Sequence, residues 1–214
     1  MTPKIPLILK LKRINHRKIA EAQDMIIKEL YKVFDKAVLH GGTALWRCYE
    51  GNRFSEDVDV YIPREIRKIN LLFEKFEKAG FKIIKKKIGE NSIYSVLNFN
   101  GTLVRFEVLF KKIRGFLKEY AEINGSLMIV YTLTPEELIE EKLNTYLKRL
   151  KIRDLYDVFF LLRYVKIDEK IRKRLEHLIK NFKKPVDEQD LKIIIIEGLV
   201  PSIEDLFLRI KREI

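Results

Sequence analysis

Leu39-His40-Gly41-Gly42-Thr43-Ala44-Leu45, followed by Arg53-Phe54-Ser55-Glu56-Asp57-Val58-Asp59, decides how this chain reads. The short apolar stretch Ala37-Val38-Leu39 predicts a strand that ends at the Gly-Gly pair, and Thr43 opens a helical stretch through Tyr49. A strand, a tight turn and a helix N-terminus together present backbone N–H groups that can cradle a phosphate. Asp57-Val58-Asp59-Val60-Tyr61-Ile62 alternates like a strand and is stopped by Pro63. Residues two apart on a strand share a face, so Asp57 and Asp59 stand together while Val58, Val60 and Ile62 face a core. Two adjacent carboxylates repel unless a cation lies between them, and Mg²⁺ is held by one or two carboxylates plus substrate phosphates. An isolated Asp-x-Asp equally describes a solvated strand edge. The glycine turn ahead of it shifts the reading, because phosphoryl transfer needs both a phosphate cradle and a carboxylate-held metal.

Other residues are candidates for the same chemistry. Arg53 either pairs with phosphate or with Glu56, and Ser55 either holds the turn into the strand or touches a nucleotide phosphate. Val104-Arg105-Phe106-Glu107-Val108 offers Glu107 as a third carboxylate, with Arg105 on its face; the alternative is a surface Arg/Glu pair. Lys142 falls within the apolar stripe Leu138, Ile139, Leu143, Tyr146, Leu147 and Leu150, and either snorkels to the rim or reaches a cleft between the two halves of the chain. Asp154 and Asp157 are i, i+3 neighbours on an otherwise apolar helix. Buried carboxylates need partners, and Lys142, Arg149 and Arg153 are available. A structural ion-pair network between helices accounts for them as well as catalysis does.

Outward from these motifs, an amphipathic helix is predicted from about 15 to 34 and another from Arg64 to Ala79, closed by Gly80. Strands are predicted at Phe81–Lys87, Ile93–Phe99, Leu103–Phe110 and Leu127–Tyr131, with Asn98-Phe99-Asn100-Gly101 as a hairpin turn. The texture changes at Thr134-Pro135-Glu136-Glu137, which combines a cap, Pro at the first helical position and an acidic first turn. Almost everything beyond reads as helix, with breaks near Ile152, Val165, Pro185 and Gly198–Pro201. The expectation is an α+β protein: a mixed sheet with flanking helices over residues 1–133, then a helical bundle over residues 134–214.

The 214 residues are 47% hydrophobic and 35% charged, which excludes a disordered chain and gives room for a packed core. Lys and Glu dominate the charged set and Ile and Leu the apolar set, a balance reported for proteins from hot environments. A net charge of +12 favours polyanions such as nucleic acid or nucleotide phosphates, and it is spread over clusters at 10–17, 82–87, 148–153 and 170–184. The single cysteine, Cys48, excludes an intrachain disulfide and a thiolate zinc cluster. Met-Thr-Pro-Lys at the start lacks a signal peptide's apolar core, and no apolar run is long enough to cross a bilayer. A cytoplasmic protein with no membrane association is expected.

Taken together these segments resemble the AbiEii/AbiGii-type nucleotidyltransferase toxin family, within the DNA polymerase β-like nucleotidyltransferase superfamily. The resemblance rests on Leu39–Leu45, Arg53–Asp59 and Val104–Val108, and on Pro135-Glu136-Glu137-Leu138, Glu141-Lys142-Leu143 and Arg153-Asp154-Leu155-Tyr156-Asp157. It implies that Gly41, Gly42 and Thr43 hold a nucleoside triphosphate, with Arg53, Ser55 and Lys142 as further phosphate contacts. Asp57 and Asp59 would bind Mg²⁺ or Mn²⁺, with Glu107 at the position of the third superfamily carboxylate. Lys142 and Asp154 match helical-half residues taken to be functional, with Asp157 close behind. The implied reaction moves a nucleoside monophosphate from an NTP to an acceptor hydroxyl, with RNA (a tRNA 3′ end) as the leading acceptor and an antitoxin protein as a partner. Two departures matter: the usual Gly-Ser is Gly-Thr, and the third carboxylate is Glu rather than Asp. Nucleotidylation of a protein, or a module that binds nucleotide or RNA without turnover, remain open at this point.

Overall fold

The structure, a computed structural model, describes residues 6–214. These divide into two compact units, the first ending at Leu133 and the second running Thr134–Ile214.

In the first unit a short helix α1 (Leu7–Lys10) precedes α2 (Ile14–Tyr31), β1 (Val38–His40), α3 (Gly41–Cys48), β2 (Asp57–Ile62) and α4 (Ile66–Lys78). Five strands follow: β3 (Phe81–Ile88), β4 (Ser92–Phe99), β5 (Thr102–Phe110), β6 (Phe116–Ala121) and β7 (Leu127–Thr132). They form a seven-stranded sheet in the order β3-β4-β5-β2-β1-β7-β6. The sheet is mixed: β2 runs parallel to β5 and β1 to β7, while the remaining neighbours are antiparallel. The hairpin joining β4 to β5 turns on Asn100 and Gly101, with φ of 49° and 81°. Positive φ at both central positions is what a two-residue type I′ turn requires, and Asn-Gly meets it at the lowest cost.

One face of this sheet is sealed by helices. Ile69, Leu72, Phe73 and Phe76 recur at helical spacing on α4 and are buried. Phe76 meets Phe106 of β5 edge-on at 5.3 Å and Phe73 meets it at 6.5 Å. Val58 and Val60 of β2 and Val104, Phe106 and Val108 of β5 fill the same layer, each no more than 1% exposed. Alternation therefore turns Asp57, Asp59, Arg105 and Glu107 to the other face, where all four are only half-buried.

A buried polar cluster ties α2, α3 and β6 together. Arg47 approaches Asp24 at 3.1 Å, donates to the carbonyls of Ala20 and Ala121, and lies over the Trp46 ring at 4.0 Å. Tyr120 and the Ile123 N–H donate to the same Asp24 carboxylate. Burial pushes the Asp24 pKa up; Arg47 and the two hydrogen bonds oppose that rise without cancelling it.

The second unit is a helical bundle of α5 (Pro135–Arg149), α6 (Ile152–Leu161), α7 (Glu169–Lys180), the one-turn α8 (Leu191–Ile194) and α9 (Ile203–Arg212). The start of α5 carries a complete capping box: Thr134 accepts from the Glu137 N–H, and Glu137 accepts from the Thr134 N–H. Leu138, Leu143, Tyr146, Leu155, Val158, Leu161, Leu175, Leu178, Leu206 and Ile210 make its core, all at or below 2% exposure. The α+β class read from the sequence is the class that forms. One strand, β6, lies where none was predicted.

Candidate active site

The turn from β1 into α3 presses against β2. Gly41 has φ of +69°, and a Cβ placed on it would stand 2.2 Å from Asp59 Oδ2. A Cβ on Gly42 would stand 2.5 Å from Ser55 Oγ and 2.8 Å from Arg53 Nη2. Both glycines are therefore required by close approach, the first also by its backbone angle. The consequence is local: the first turn of α3 lies beside Asp59, Ser55 and Arg53. The leading N–H groups of a helix have no intrahelical acceptor, and His40 at the cap provides no side-chain hydrogen bond to them. His40 instead stacks on Tyr61 at 3.9 Å.

Of the predicted phosphate contacts, Thr43 is fully buried and its hydroxyl donates to the Asp57 carbonyl. That hydroxyl pins β2 to α3. Arg53, 3% exposed, donates to the Phe54 carbonyl at 3.1 Å. Gln23, which the sequence reading missed, donates to the Ser55 carbonyl at 2.8 Å and reaches the Asp57 carbonyl at 3.5 Å. An α2 glutamine thus sets the path of the chain into β2.

The three candidate carboxylates lie on the same half-buried face of the neighbouring strands β2 and β5. The parallel register sets Asp59 opposite Glu107 and Asp57 opposite Arg105. Arg105 forks onto Asp57, Nε to Oδ1 at 2.5 Å and Nη2 to Oδ2 at 2.8 Å. Burial works to lower the Arg105 pKa, but Asp57, with Glu107 and Tyr94, raises it overall, so this cation stays charged. Alternation had put Arg105 on the face of Glu107; only the strand register reveals that its partner is Asp57.

Among the described residues, no group of three or more His, Cys, Asp or Glu has the arrangement to hold a metal unaided. A magnesium ion that arrives with a triphosphate needs less, one or two carboxylates with phosphate oxygens completing its shell. Asp57 and Asp59, hard oxygen donors on one strand face, fit that requirement once Asp57 exchanges its Arg105 partner for the ion. Glu107 lies one strand away, and the Gly41 turn touches Asp59 closely enough that any side chain there would displace it.

In the helical unit Lys142, Asp154 and Asp157 also come together. Lys142 Nζ lies 2.8 Å from Asp157 Oδ2 and 3.7 Å from Asp154 Oδ1. Arg149 forks onto Asp154 at 2.7 and 2.8 Å. Both carboxylates are fully buried, and Lys142 is 6% exposed. The pairs join α5 to α6, two cations balancing two anions.

Comparison with known proteins gives the family and the fold. Residues 28–211 match the family described as nucleotidyl transferase AbiEii toxin, Type IV TA system. The curated proteins contain no significant match. The fold is similar to that of JHP933 from Helicobacter pylori, at 20% identity and a TM-score of 0.62 over 94% of this chain and 89% of that one. A second H. pylori protein, described as a nucleotidyltransferase, is 21% identical with a TM-score of 0.61 over 94% of this chain and 92% of that one. These likenesses bear on the fold, and the family match bears on the chemistry. With a family match spanning most of its length, the chain belongs to the AbiEii nucleotidyl transferase toxin family and is a nucleotidyltransferase.

Proposed function

We propose that the protein moves a nucleoside monophosphate from an NTP to a hydroxyl of RNA, a tRNA 3′ end, in a Mg²⁺- or Mn²⁺-dependent reaction, as the toxin of a toxin–antitoxin pair. The observation that carries this reading is the contact of the Gly41-Gly42 turn with Asp59, on the face shared with Asp57 and Glu107. The acceptor oxygen attacks the α-phosphorus, the bond to the bridging oxygen breaks, and pyrophosphate leaves. The N–H groups opening α3 bind phosphate oxygens, and Arg53 beside Gly42 adds positive charge. Asp57 and Asp59 would hold the metal, which when bound neutralises charge developing on the transferring phosphoryl group. Glu107 takes the proton of the acceptor hydroxyl. Until the nucleotide arrives, the Arg105 fork holds the Asp57 side chain in one orientation.

The family resemblance assigns Lys142 and Asp154 a functional role, and the buried pairs support that reading without testing it. Asp154 and Asp157 fix one ammonium at one position. The net charge of +12 supports a polyanionic acceptor over a protein one. The described residues contain no helix long and apolar enough to cross a membrane. Incubation with NTPs labelled at the α-phosphate and total RNA is expected to label RNA, and Asp57→Ala is expected to abolish it. Labelling of protein alone, or equal labelling by the variant, contradicts the reading. Expression of the intact protein is expected to arrest growth, whereas the Asp57→Ala protein is tolerated.

A further inference from the structure

The face that carries Asp59 and Glu107 does not end at β5. Glu107 lies opposite Tyr94 of β4 and Arg105 opposite Val96. Tyr94 in turn lies opposite Lys87 of the edge strand β3, and Val96 opposite Lys85. These pairings depend on a register shift between Ile83 and Lys85. Without that extra residue, Ile84 and Lys86 would share the Tyr94 face; with it, Lys85 and Lys87 do. Bulges re-aim side chains in this way. Lys86 goes to the opposite, helix-covered face, over the Phe73 ring at 4.2 Å.

The outcome is a groove of about 390 Å³ lined by Lys85, Lys87, Gly89, Ser92 and Tyr94. Lys85 Nζ stands 5.1 Å above the Tyr94 ring. Both lysines are exposed and the tyrosine is half-buried. Two strand spacings, about 10 Å, separate Tyr94 from Asp59 along this face. The Gly41-Gly42 turn lies on the opposite flank of the carboxylates, next to Asp59 through β1.

We propose that this groove seats the single-stranded 3′ segment of the RNA acceptor, with a base on the Tyr94 ring and backbone phosphates on Lys85 and Lys87. The inference rests on the RNA-acceptor reading above and adds the path by which RNA reaches the carboxylates. An aromatic platform flanked by lysines is how single strands are held without sequence readout. The triphosphate has its own cradle on the far side of Asp59, so a second anion track across the sheet suits the other substrate. Lysines on an edge strand also discourage pairing with foreign strands. That purpose requires neither the register shift nor a tyrosine beneath them.

Binding of a fluorescein-labelled single-stranded oligoribonucleotide, followed by anisotropy without NTP, tests the groove directly. Lys85→Gln combined with Lys87→Gln is expected to weaken binding at least tenfold and to flatten the slope of log K against log salt by about 1.4, roughly 0.7 for each lost phosphate contact. Tyr94→Leu is expected to weaken binding about tenfold with the slope unchanged, and Tyr94→Phe to bind like wild type. Lys86→Gln, on the other face of the same strand, is expected to have no effect and controls for charge and folding. Equal affinity and slope in wild type and the double lysine variant overturn the proposal, as does an oligonucleotide that wild type fails to bind. RNA labelling that is identical in the double variant at subsaturating RNA removes the groove and leaves the proposed reaction standing. Groove-dependent binding with no RNA labelling by wild type does the reverse.

Discussion

The two units each bring a pair of aspartates together, and they treat them in opposite ways. On the sheet, Asp57 and Asp59 are only part-buried: the Asp57 side chain is 14% exposed and the guanidinium paired with it 42%. In the bundle, Asp154 and Asp157 are wholly buried and held by Lys142 and Arg149. A carboxylate in water-accessible surroundings can exchange a cation partner at small cost. One in a low-dielectric core cannot, because losing its partner leaves an uncompensated charge. Burial rather than residue type thus separates aspartates that can change partner from aspartates that hold one ammonium in place.

Substitutions can break this contrast. The largest effect is expected at Asp59→Ala: transfer activity falls by about 10³-fold, roughly 4 kcal/mol in transition-state terms, from loss of a group that meets developing charge. Its unfolding free energy is expected to change by less than about 1 kcal/mol, as at other partly exposed sites. Denaturant titration beside a rate measurement separates the two. A large loss of stability at Asp59 would place it with the bundle aspartates.

Asp157→Ala is expected to behave in the opposite sense. It leaves the Lys142 ammonium buried beside a partner that Arg149 already holds, at a cost of about 3–5 kcal/mol. Urea unfolding reads this as a lowered midpoint with the slope unchanged. A midpoint equal to wild type would mean that the pair contributes no net stability, and the contrast between the units would fail.

A solvent-accessible cluster of three charges in the same bundle gives the smallest effect. Glu140 on α5 meets Lys170 and Arg174 of α7 at 2.9 and 2.6 Å. The hydrogen bond and charge of Lys170, with Arg174, hold the Glu140 pKa below its usual value of 4.5. A depressed folded-state pKa stabilises the fold above the unfolded value, and that stability is lost as pH falls through the folded value. Glu140→Gln is therefore expected to cost about 0.2–1 kcal/mol near neutrality, discounted for solvent screening, and nothing well below pH 4.5. Thermal unfolding of both proteins across that range checks the direction, and a difference that grows on acidification contradicts it.

Much of the carboxylate site was legible because strand alternation fixes a face. Val58 and Val60 had to be buried, so Asp57 and Asp59 had to be together, and the same rule put Arg105 beside Glu107. Alternation carries no information on which strands become neighbours. The Asp57–Arg105 fork therefore waited on the β2–β5 register, and the Gln23 anchor on how α2 lies against β2. Strand β6 was invisible for another reason: it is a sheet edge on which only Tyr120 is buried, and Phe-Leu-Lys-Glu-Tyr-Ala shows no clean alternation. The bundle's ion pairs were readable as a necessity, since two aspartates on an apolar helix need cations. That Arg149 takes Asp154 was not, because Arg153 lay nearer in sequence.

The most direct measurement is the mass of a synthetic tRNA 3′ end after incubation with the protein, an NTP and Mg²⁺, with released pyrophosphate counted in parallel. The account predicts a gain of whole nucleotide residues matched one-for-one by pyrophosphate, abolished in Asp57→Ala protein of unchanged unfolding midpoint. An RNA of unchanged mass, or a gain that persists in that variant, would contradict it.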